Sequence, residues 1–258
     1  MLKEWLEVIR YRELVRSLVS KQLKVRYKRS VLGLVWALLY PLLMMVVMSI
    51  VFSALFQSSL PNFPVYLLSG IVLWNFFSQT TMDGANTILT NVNIIKKIYV
   101  PKGVFSVATV LSGLVHLGLA MIPLLIIAIA SGTPLTLSLL FLPVSVLLVS
   151  VFILGVSLAL ATVAVFFNDI LYIYQVLLIA LMFLTPIFYP ASIVPARYVP
   201  ILKANPMYYF VECFRLPIYE GVVPSVEMVA FAGVAAVVAL LAGWWIFSRN
   251  QNAFVYYL

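Results

Sequence analysis

The chain has 258 residues, of which 64% are hydrophobic and 9% charged, and its mean hydropathy is +1.13. A soluble domain carries roughly a quarter charged residues, so the composition excludes an ordinary soluble protein and predicts a polytopic membrane protein. The formal net charge is +8, and nine of the sixteen Lys and Arg residues lie within residues 1–29. Beside membrane spans, such a cluster indicates an anchor on the cytoplasmic side and not a nucleic-acid site.

Residues 1–29 are predicted to form a cytoplasmic amphipathic helix that lies in the plane of the membrane interface. Apolar side chains recur at helical spacing while charged side chains take the other face, and the segment is too charged to span. The apolar stripe consists of Tyr11, Leu14, Val15, Leu18, Val19 and Leu23.

Residues 30–258 are predicted to form one transmembrane domain of six helices. Each apolar run has roughly 20 residues, enough to cross about 30 Å of hydrocarbon. The runs cover about 31–56, 64–81, 104–130, 137–165, 171–188 and 227–247. This topology places thirteen Lys and Arg on the side of the N-terminus and three on the other side. The positive-inside rule therefore predicts that both termini are cytoplasmic.

Two segments between the spans carry structure of their own. Residues 91–102 predict a short amphipathic helix that ends before Pro101. Residues 189–225 are too rich in proline to span but remain apolar and aromatic. They predict two short re-entrant helices near 192–202 and 207–218, on the outer side. The fold class is thus an all-α integral membrane protein.

The sequence lacks the patterns of the common catalytic and nucleotide-binding sites. It contains no P-loop and no HExxH motif, and its single Cys and single His cannot form a Cys/His metal site. The eight acidic residues fall in loops or at the ends of spans, where they do not suggest a proton relay. We therefore expect no catalytic residue, no metal site and no cofactor in this chain.

Several polar residues have both a structural and a functional interpretation. His116 inside the third span is either a hydrogen-bonded packing residue or a channel contact. Glu212 and Arg215, three residues apart, form either a local ion pair or part of an outer gate. Asp169 either caps the fifth span or contacts a cytoplasmic subunit, and Cys213 is interpreted as a packed side chain.

Aromatic residues cluster near the ends of the first, second and fifth spans. They are either an interfacial belt or a track on which the apolar faces of sugar rings stack. The candidates are Trp36, Tyr40, Tyr66, Trp74, Phe76, Phe77, Tyr172 and Tyr174.

Four motifs, in order, resemble a known family. Residues 26–36 read RYKRSVLGLVW and are followed by Tyr40 and Pro41, which is similar to the family opening RY-x(3–4)-LGxxW…P. FPVYLLSG at 63–70 with WNFF at 74–77 resembles the second span, FFNDI at 166–170 a short cytoplasmic turn, and ANP at 204–206 the link between two outer helices. The family is that of the membrane subunits of type-2 ABC exporters for O-antigen, capsule and teichoic acid.

The resemblance implies a homodimer bound to two copies of a separate P-loop ATPase, which supplies the ATP and Mg²⁺ site. It implies a polysaccharide channel between two copies across spans 1, 2 and 5, in the inner membrane.

The resemblance also implies roles for particular residues. The expected ATPase contacts are Asn93, Ile94, Lys96, Lys97, Tyr99 and Asp169, and the expected outer gate is Tyr198, Tyr209, Glu212 and Arg215. The expected contacts to the lipid diphosphate are Lys21, Lys24, Arg26, Lys28 and Arg29, with membrane headgroups as their alternative ligand. Asn168 departs from the family turn, where Arg is common, so an Arg contact to the ATPase would be altered here or carried by Asp169.

Three functions stay open at this point. The first is export of a lipid-linked polysaccharide, O-antigen before capsule or teichoic acid. The second is the same architecture serving drugs or small lipids. The third is a membrane-embedded transferase of lipid-linked sugars, which normally needs clustered acids or a metal.

Overall fold

The computed structural model of the chain describes residues 10–27, 32–56, 61–98, 100–134 and 136–257. Within these ranges the chain forms helices joined by short turns, and no strand occurs there. The α-helices are α1 (Arg12–Tyr27), α2 (Trp36–Phe56), α3 (Phe63–Thr90), α4 (Val92–Ile95), α5 (Gly103–Ala130), α6 (Leu142–Phe166), α7 (Ile170–Leu184), α8 (Val199–Ala204), α9 (Pro206–Tyr219), α10 (Val226–Asn250) and α11 (Phe254–Tyr257). The prediction of an all-helical protein is confirmed.

Among the described residues, three helical segments are long and apolar enough to cross a membrane: α5, α10 and Leu137–Phe166, in which a 3₁₀ turn leads into α6. α7 and the stretch Trp36–Val51 of α2 are apolar but shorter. The predicted ends of the third, fourth and sixth apolar runs agree with the structure to within three residues. α7 ends at Leu184, four residues before its predicted end at 188.

The central element is α3, a helix of 28 residues that extends to Thr90, nine residues beyond the predicted end of the second span at 81. Most of its side chains are buried, because α2, α5, α6, α7 and α9 all pack against it. Its start is set by Asn62, whose φ of 53° lies in the left-handed region and turns the chain into the helix.

The closest helix pairing joins α6 to α10 through two glycines. A Cβ atom on Gly155 or Gly243 would overlap the backbone of the opposite helix, so neither position has room for a side chain. Small residues at such crossings let helices approach closely and gain van der Waals contact, which is a main source of association energy in lipid.

One end of the bundle, which we call the near end, carries α1. Val15 and Leu18 of α1 are buried in a hydrophobic cluster that also contains residues of α3, α5 and α6 together with Phe247 and Phe254, and we call it the near-end cluster. Tyr11, Leu14 and Val19 pack beside them, so this part of the predicted apolar stripe is confirmed as the face that packs. The remainder of the predicted interfacial segment, residues 1–9 and 28–29, lies outside the described residues.

At the opposite, far end, the segment between α5 and α6 is joined to the end of α9 and to the residues after it. Ser138 Oγ donates to the carbonyl of Pro217 (3.1 Å), and Thr136 Oγ1 donates to the carbonyl of Gly221 (2.6 Å). Of the two short helices predicted there, the second is observed as α9, whose start is capped by the Asn205 side chain accepting from Met207 N at 3.0 Å.

The first predicted helix of this pair, 192–202, is instead broken into two 3₁₀ turns (Ala191–Ile193 and Ala196–Tyr198) and the short α8. Pro195 separates the two turns, and the residue before a proline is disfavoured in the helical region. The interpretation of these helices as re-entrant elements is taken up with the proposed function.

Candidate functional site

A polar stripe runs along the one face of α3 that its neighbours leave open. Ser78 and Gln79 follow Asn75 by three and four residues, and Asp83 and Asn86 follow Gln79 by four and seven, which places all five on a single helix face. Gln79 and Asp83 are exposed and the other three are half-buried. Sequence analysis missed this stripe because it ended the second span at 81, although the spacing was visible.

The stripe forms the floor of an open cavity of about 710 Å³ between α2 and α7. Tyr40 contributes from α2, and Tyr172 and Gln175 contribute from α7. Tyr40 is 47% exposed and Tyr172 69% exposed, so both rings are available to a ligand.

Two further cavities continue this one along α3. A small cavity of about 120 Å³ shares Tyr40, Asn75 and Gln79 with it and extends to Trp36 and His116. At the near end a cavity of about 420 Å³ shares Asp83 and Asn86 and is lined by Lys21, Gln22 and Asn91, among others. We call the three connected cavities the α3 groove.

The depth of the stripe argues against lipid as its covering. At about 1.5 Å per residue, the 28 residues of α3 measure roughly 42 Å, more than the ~30 Å of a hydrocarbon core, so its middle would lie at hydrocarbon depth if α3 is the second span predicted from the sequence. Moving one amide from water into a solvent that cannot hydrogen-bond costs about 4–8 kcal/mol. Water or a polar ligand is therefore a more favourable covering for this exposed polar face than lipid chains are.

The eight predicted channel aromatics divide into two groups. Trp36, Tyr40 and Tyr172 are exposed and line the α3 groove. The other five are at most 7% exposed, and of these only Phe76 borders one of the cavities: Tyr66, Trp74, Phe76, Phe77 and Tyr174.

Contacts within the chain account for this burial. Tyr174 OH donates to Thr81 Oγ1 (2.7 Å), Tyr66 OH donates to the carbonyl of Tyr189 (2.9 Å), and Phe77 stacks on Phe152 with ring centroids 5.9 Å apart. For the four residues on α3 the packing replaces the predicted exposure, because α3 is enclosed on every face except its polar stripe, and Tyr174 of α7 is buried against that helix.

Hydrogen bonds attach α1 to the near ends of α3 and α5. Lys21 Nζ donates to Asn91 Oδ1 (3.3 Å), and Gln22 Nε2 donates to Thr109 Oγ1 (3.1 Å). Of the five basic residues predicted to meet a lipid diphosphate, Lys21 lies at the near-end mouth of the groove and Lys24 is exposed on the same helix. The side chains of Arg26, Lys28 and Arg29 lie outside the described part of the chain.

The predicted helix over 91–102 is only four residues long in the structure, Val92–Ile95. Ile94 and Ile95 pack on the near-end cluster, and the chain then turns, which leaves Asn93, Lys96 and Lys97 exposed. Tyr99 lies outside the described residues.

Lys102, unlike the exposed Lys96 and Lys97, contacts other parts of the chain. Its Nζ donates to the carbonyl of Gln251 and lies 5.6 Å from the centre of the Phe254 ring, and burial lowers its pKa. It therefore fastens the C-terminal segment to the bundle.

The turn between α6 and α7 presents Phe167, Asn168 and Asp169 at the near end, all exposed. Asp169 occupies the position before α7, but its side chain accepts no hydrogen bond from the first turn. The prediction that Asp169 caps this helix is wrong.

At the far end, Arg215 is 1% exposed and is held on several sides. Its Nη1 donates to Glu212 Oε1 (2.9 Å) and to the carbonyl of Pro186 (2.9 Å), and its guanidinium lies 3.8 Å from the centre of the Tyr66 ring. The predicted local ion pair is confirmed, and the hydrogen bond from the same guanidinium to Pro186 anchors α9 to the segment after α7.

The other residues predicted for an outer gate are more accessible. Tyr209 is half-buried and stacks on Phe231 with centroids 5.1 Å apart, while Tyr198 is 44% exposed beneath Arg197. Cys213 is buried, as expected for a packed side chain.

Comparison with known proteins identifies the family. The profile described as ABC-2 type transporter matches residues 13–219. The chain is 31% identical over 251 residues to the O-antigen export system permease protein RfbA of Myxococcus xanthus, covering 96% of each chain. It is 26% identical to the protein of that name from Klebsiella pneumoniae (94% of this chain, 93% of the relative) and 22% identical to the polysialic acid transport protein KpsM of Escherichia coli (93% and 94%). With four fifths of its length matched by the family profile, this chain belongs to the ABC-2 type transporter family.

Proposed function

We propose that this chain is the membrane-spanning subunit of an ATP-driven exporter that carries a lipid-linked polysaccharide from the cytoplasmic to the outer side of the inner membrane. The observation that carries the proposal is the α3 groove, in which amides and exposed tyrosines follow one helix through the membrane region. Amides exchange hydrogen bonds with sugar hydroxyls, and aromatic faces pack on the C–H faces of sugar rings. The names of the relatives favour O-antigen as the polymer.

The groove is open along α2 and α7, which suggests how two copies assemble. α7 buries only Tyr174 and Leu178 within the chain, and α2 exposes apolar residues such as Val47 and Ile50. A homodimer formed across α2 and α7 covers these faces and closes two grooves into one channel. Six spans with both termini cytoplasmic place the near end at the ATPase, and α8 and α9 become re-entrant elements of the outer gate.

In this proposal a separate ATPase binds at the near end and drives transport by ATP hydrolysis. The sequence has no P-loop, so ATP and Mg²⁺ bind in the partner, a separate ATPase present in two copies. Residues 91–102 and Asp169 meet the ATPase, and the hydrogen bonds from Lys21 to Asn91 and from Gln22 to Thr109 transmit the movement of this segment to α1.

The proposal is tested with the complex of this chain and its ATPase in proteoliposomes containing a lipid-linked polysaccharide. We expect ATP-dependent movement of the polymer across the bilayer, measured by its accessibility to an added glycosidase or lectin. Transport by this chain without the ATPase, or ATP-dependent transport of small lipids alone, would contradict the proposal.

The exposed pair Lys96 and Lys97 predicts a charge-dependent contact with the ATPase. Reversing both charges (Lys96→Glu with Lys97→Glu) is expected to weaken ATPase binding at least about ten-fold, because opposed charges at an interface change both the rate and the strength of association. Binding of purified ATPase to the detergent-solubilised chain measures this. Lys203→Glu, an exposed lysine at the far end, is the matched control and should bind as the parent does. Equal binding of the ATPase by both variants would show that Lys96 and Lys97 do not contribute to the contact.

A further inference from the structure

An open cavity of about 640 Å³ lies between α1 and α5, outside the α3 groove. α1 contributes two arginines and two valines to its wall, and their spacing of three and four residues places them on a single helix face. α5 contributes four apolar side chains. We call this space the α1–α5 cavity, and its lining residues are Arg12, Val15, Arg16, Val19, Val107, Leu111, Leu114 and Val115.

The α1–α5 cavity is separate from the α3 groove. Among the described residues, it shares no lining residue with the near-end cavity of the groove. α1 lies between the two, because it turns Lys21 and Gln22 toward the groove and Arg12 and Arg16 toward the α1–α5 cavity. A ligand of this cavity is therefore distinct from a polymer in the groove.

The α5 wall of the cavity favours a hydrocarbon chain as its covering. α5 is long and apolar enough to cross a membrane, and Leu111 and Val115 on this face are 40% and 42% exposed. Apolar surface that is not covered by protein is more favourable against acyl chains than against water. The α5 side of the cavity is therefore suited to the acyl chain of a lipid.

The α1 wall of the cavity favours a phosphate group. Arg12 and Arg16 are exposed, and a guanidinium group can donate two parallel hydrogen bonds to one phosphate. Glu13 Oε1 lies 3.9 Å from Arg12 Nε, but both side chains are more than four fifths exposed, and such a pair is weak. Glu13 itself borders an open cavity on another face of α1. Two arginines beside an apolar wall match the phosphate and the acyl chain of a membrane lipid.

We infer that the α1–α5 cavity binds an anionic phospholipid of the surrounding leaflet, with an acyl chain against α5 and the phosphate at Arg12 and Arg16. The lipid contacts both helices and so adds to the attachment of α1, which the hydrogen bonds of Lys21 and Gln22 already provide. The inference concerns the lipid around the chain and not its cargo. It goes beyond the proposed function and requires only that α5 crosses the membrane with α1 at its surface.

The test compares two lipids with the same acyl chains, phosphatidylglycerol and phosphatidylcholine, by native mass spectrometry of the detergent-purified chain. Both carry a phosphate, but only phosphatidylglycerol has a net negative charge. At about 50 mM salt we expect phosphatidylglycerol to bind at least about five-fold more tightly, with a ratio that falls as salt screens the attraction. Arg12→Gln with Arg16→Gln should bring the ratio close to one. Arg197→Gln with Arg249→Gln removes the same charge from exposed arginines elsewhere and should leave the ratio unchanged.

A phosphatidylglycerol with a photoreactive group in its acyl chain tests the position. It should cross-link to residues 107–115 of α5, and less so in the Arg12→Gln, Arg16→Gln protein, whose folding is checked by circular dichroism. Equal binding of both lipids, a preference that this variant retains, or cross-linking only elsewhere would overturn the inference. Displacement of phosphatidylglycerol by an equal concentration of a polyprenyl diphosphate would assign the cavity to a cargo carrier and would overturn it too. The proposed function is tested separately, by transport of the polymer.

Discussion

Replacing Arg215 by methionine is expected to lower the free energy of unfolding by about 3–5 kcal/mol, the cost of removing one partner of a buried ion pair. The guanidinium is 1% exposed and joins Glu212, the carbonyl of Pro186 and the face of the Tyr66 ring. Methionine fills much of the same volume but leaves the carboxylate and the carbonyl without a donor. The thermal unfolding of the chain in detergent, followed by circular dichroism, measures the loss.

Two variants show whether the geometry or the charge alone is responsible. Arg215→Lys keeps the charge but has one ammonium in place of a planar fork, so it should recover only part of the stability. Arg197→Met removes an exposed arginine that lies over Tyr198 and should change the unfolding temperature little. An Arg215→Met protein as stable as the parent would show that the pair contributes nothing net to the fold.

Tyr66 and its neighbours on α3 show where sequence reasoning reaches its limit. An aromatic residue near the end of a span is equally compatible with an interfacial belt, a channel wall and a helix core, because a large ring is favourable in all three environments. The choice depends on which helices surround α3, and that is a property of the whole bundle. Tyr172 has the same sequence signature but lies on α7, which has few neighbours within the chain, and it is exposed.

The sequence predicted where some helices end but not where others do. The apolar runs that became α5, α6 and α10 were predictable because length and hydropathy alone determine a span. The extension of α3 to Thr90 was not, because Asp83 and Asn86 resemble a loop in a linear reading. Ala85 and Ile88 in the same turns have no exposed surface, and burial of these side chains in the bundle stabilises the helix to its end. The end of α4 at Ile95 was likewise not visible in the sequence.

The stripe on α3 leads to the second large expected effect. Replacing Asn75 and Gln79 together by leucine is expected to slow polysaccharide export roughly 30- to 160-fold, which corresponds to the loss of about 2–3 kcal/mol of hydrogen bonding to the polymer. Rates of ATP-dependent translocation in proteoliposomes measure the effect. Asn252→Leu, an exposed amide in the turn after α10, is the matched control and should transport normally.

Stability distinguishes a polymer-binding role of the stripe from a structural one. If Asn75 and Gln79 only supported the helix packing, the double variant would unfold at a lower temperature as well as transport slowly. If they face a water-filled groove, leucine breaks no packing contact of the bundle and the unfolding temperature should stay about the same. A variant that loses stability and export together would assign the stripe to the fold. A variant of undiminished stability whose export fails would assign it to the path of the polymer, because the same substitution cannot both stabilise the bundle and disrupt it.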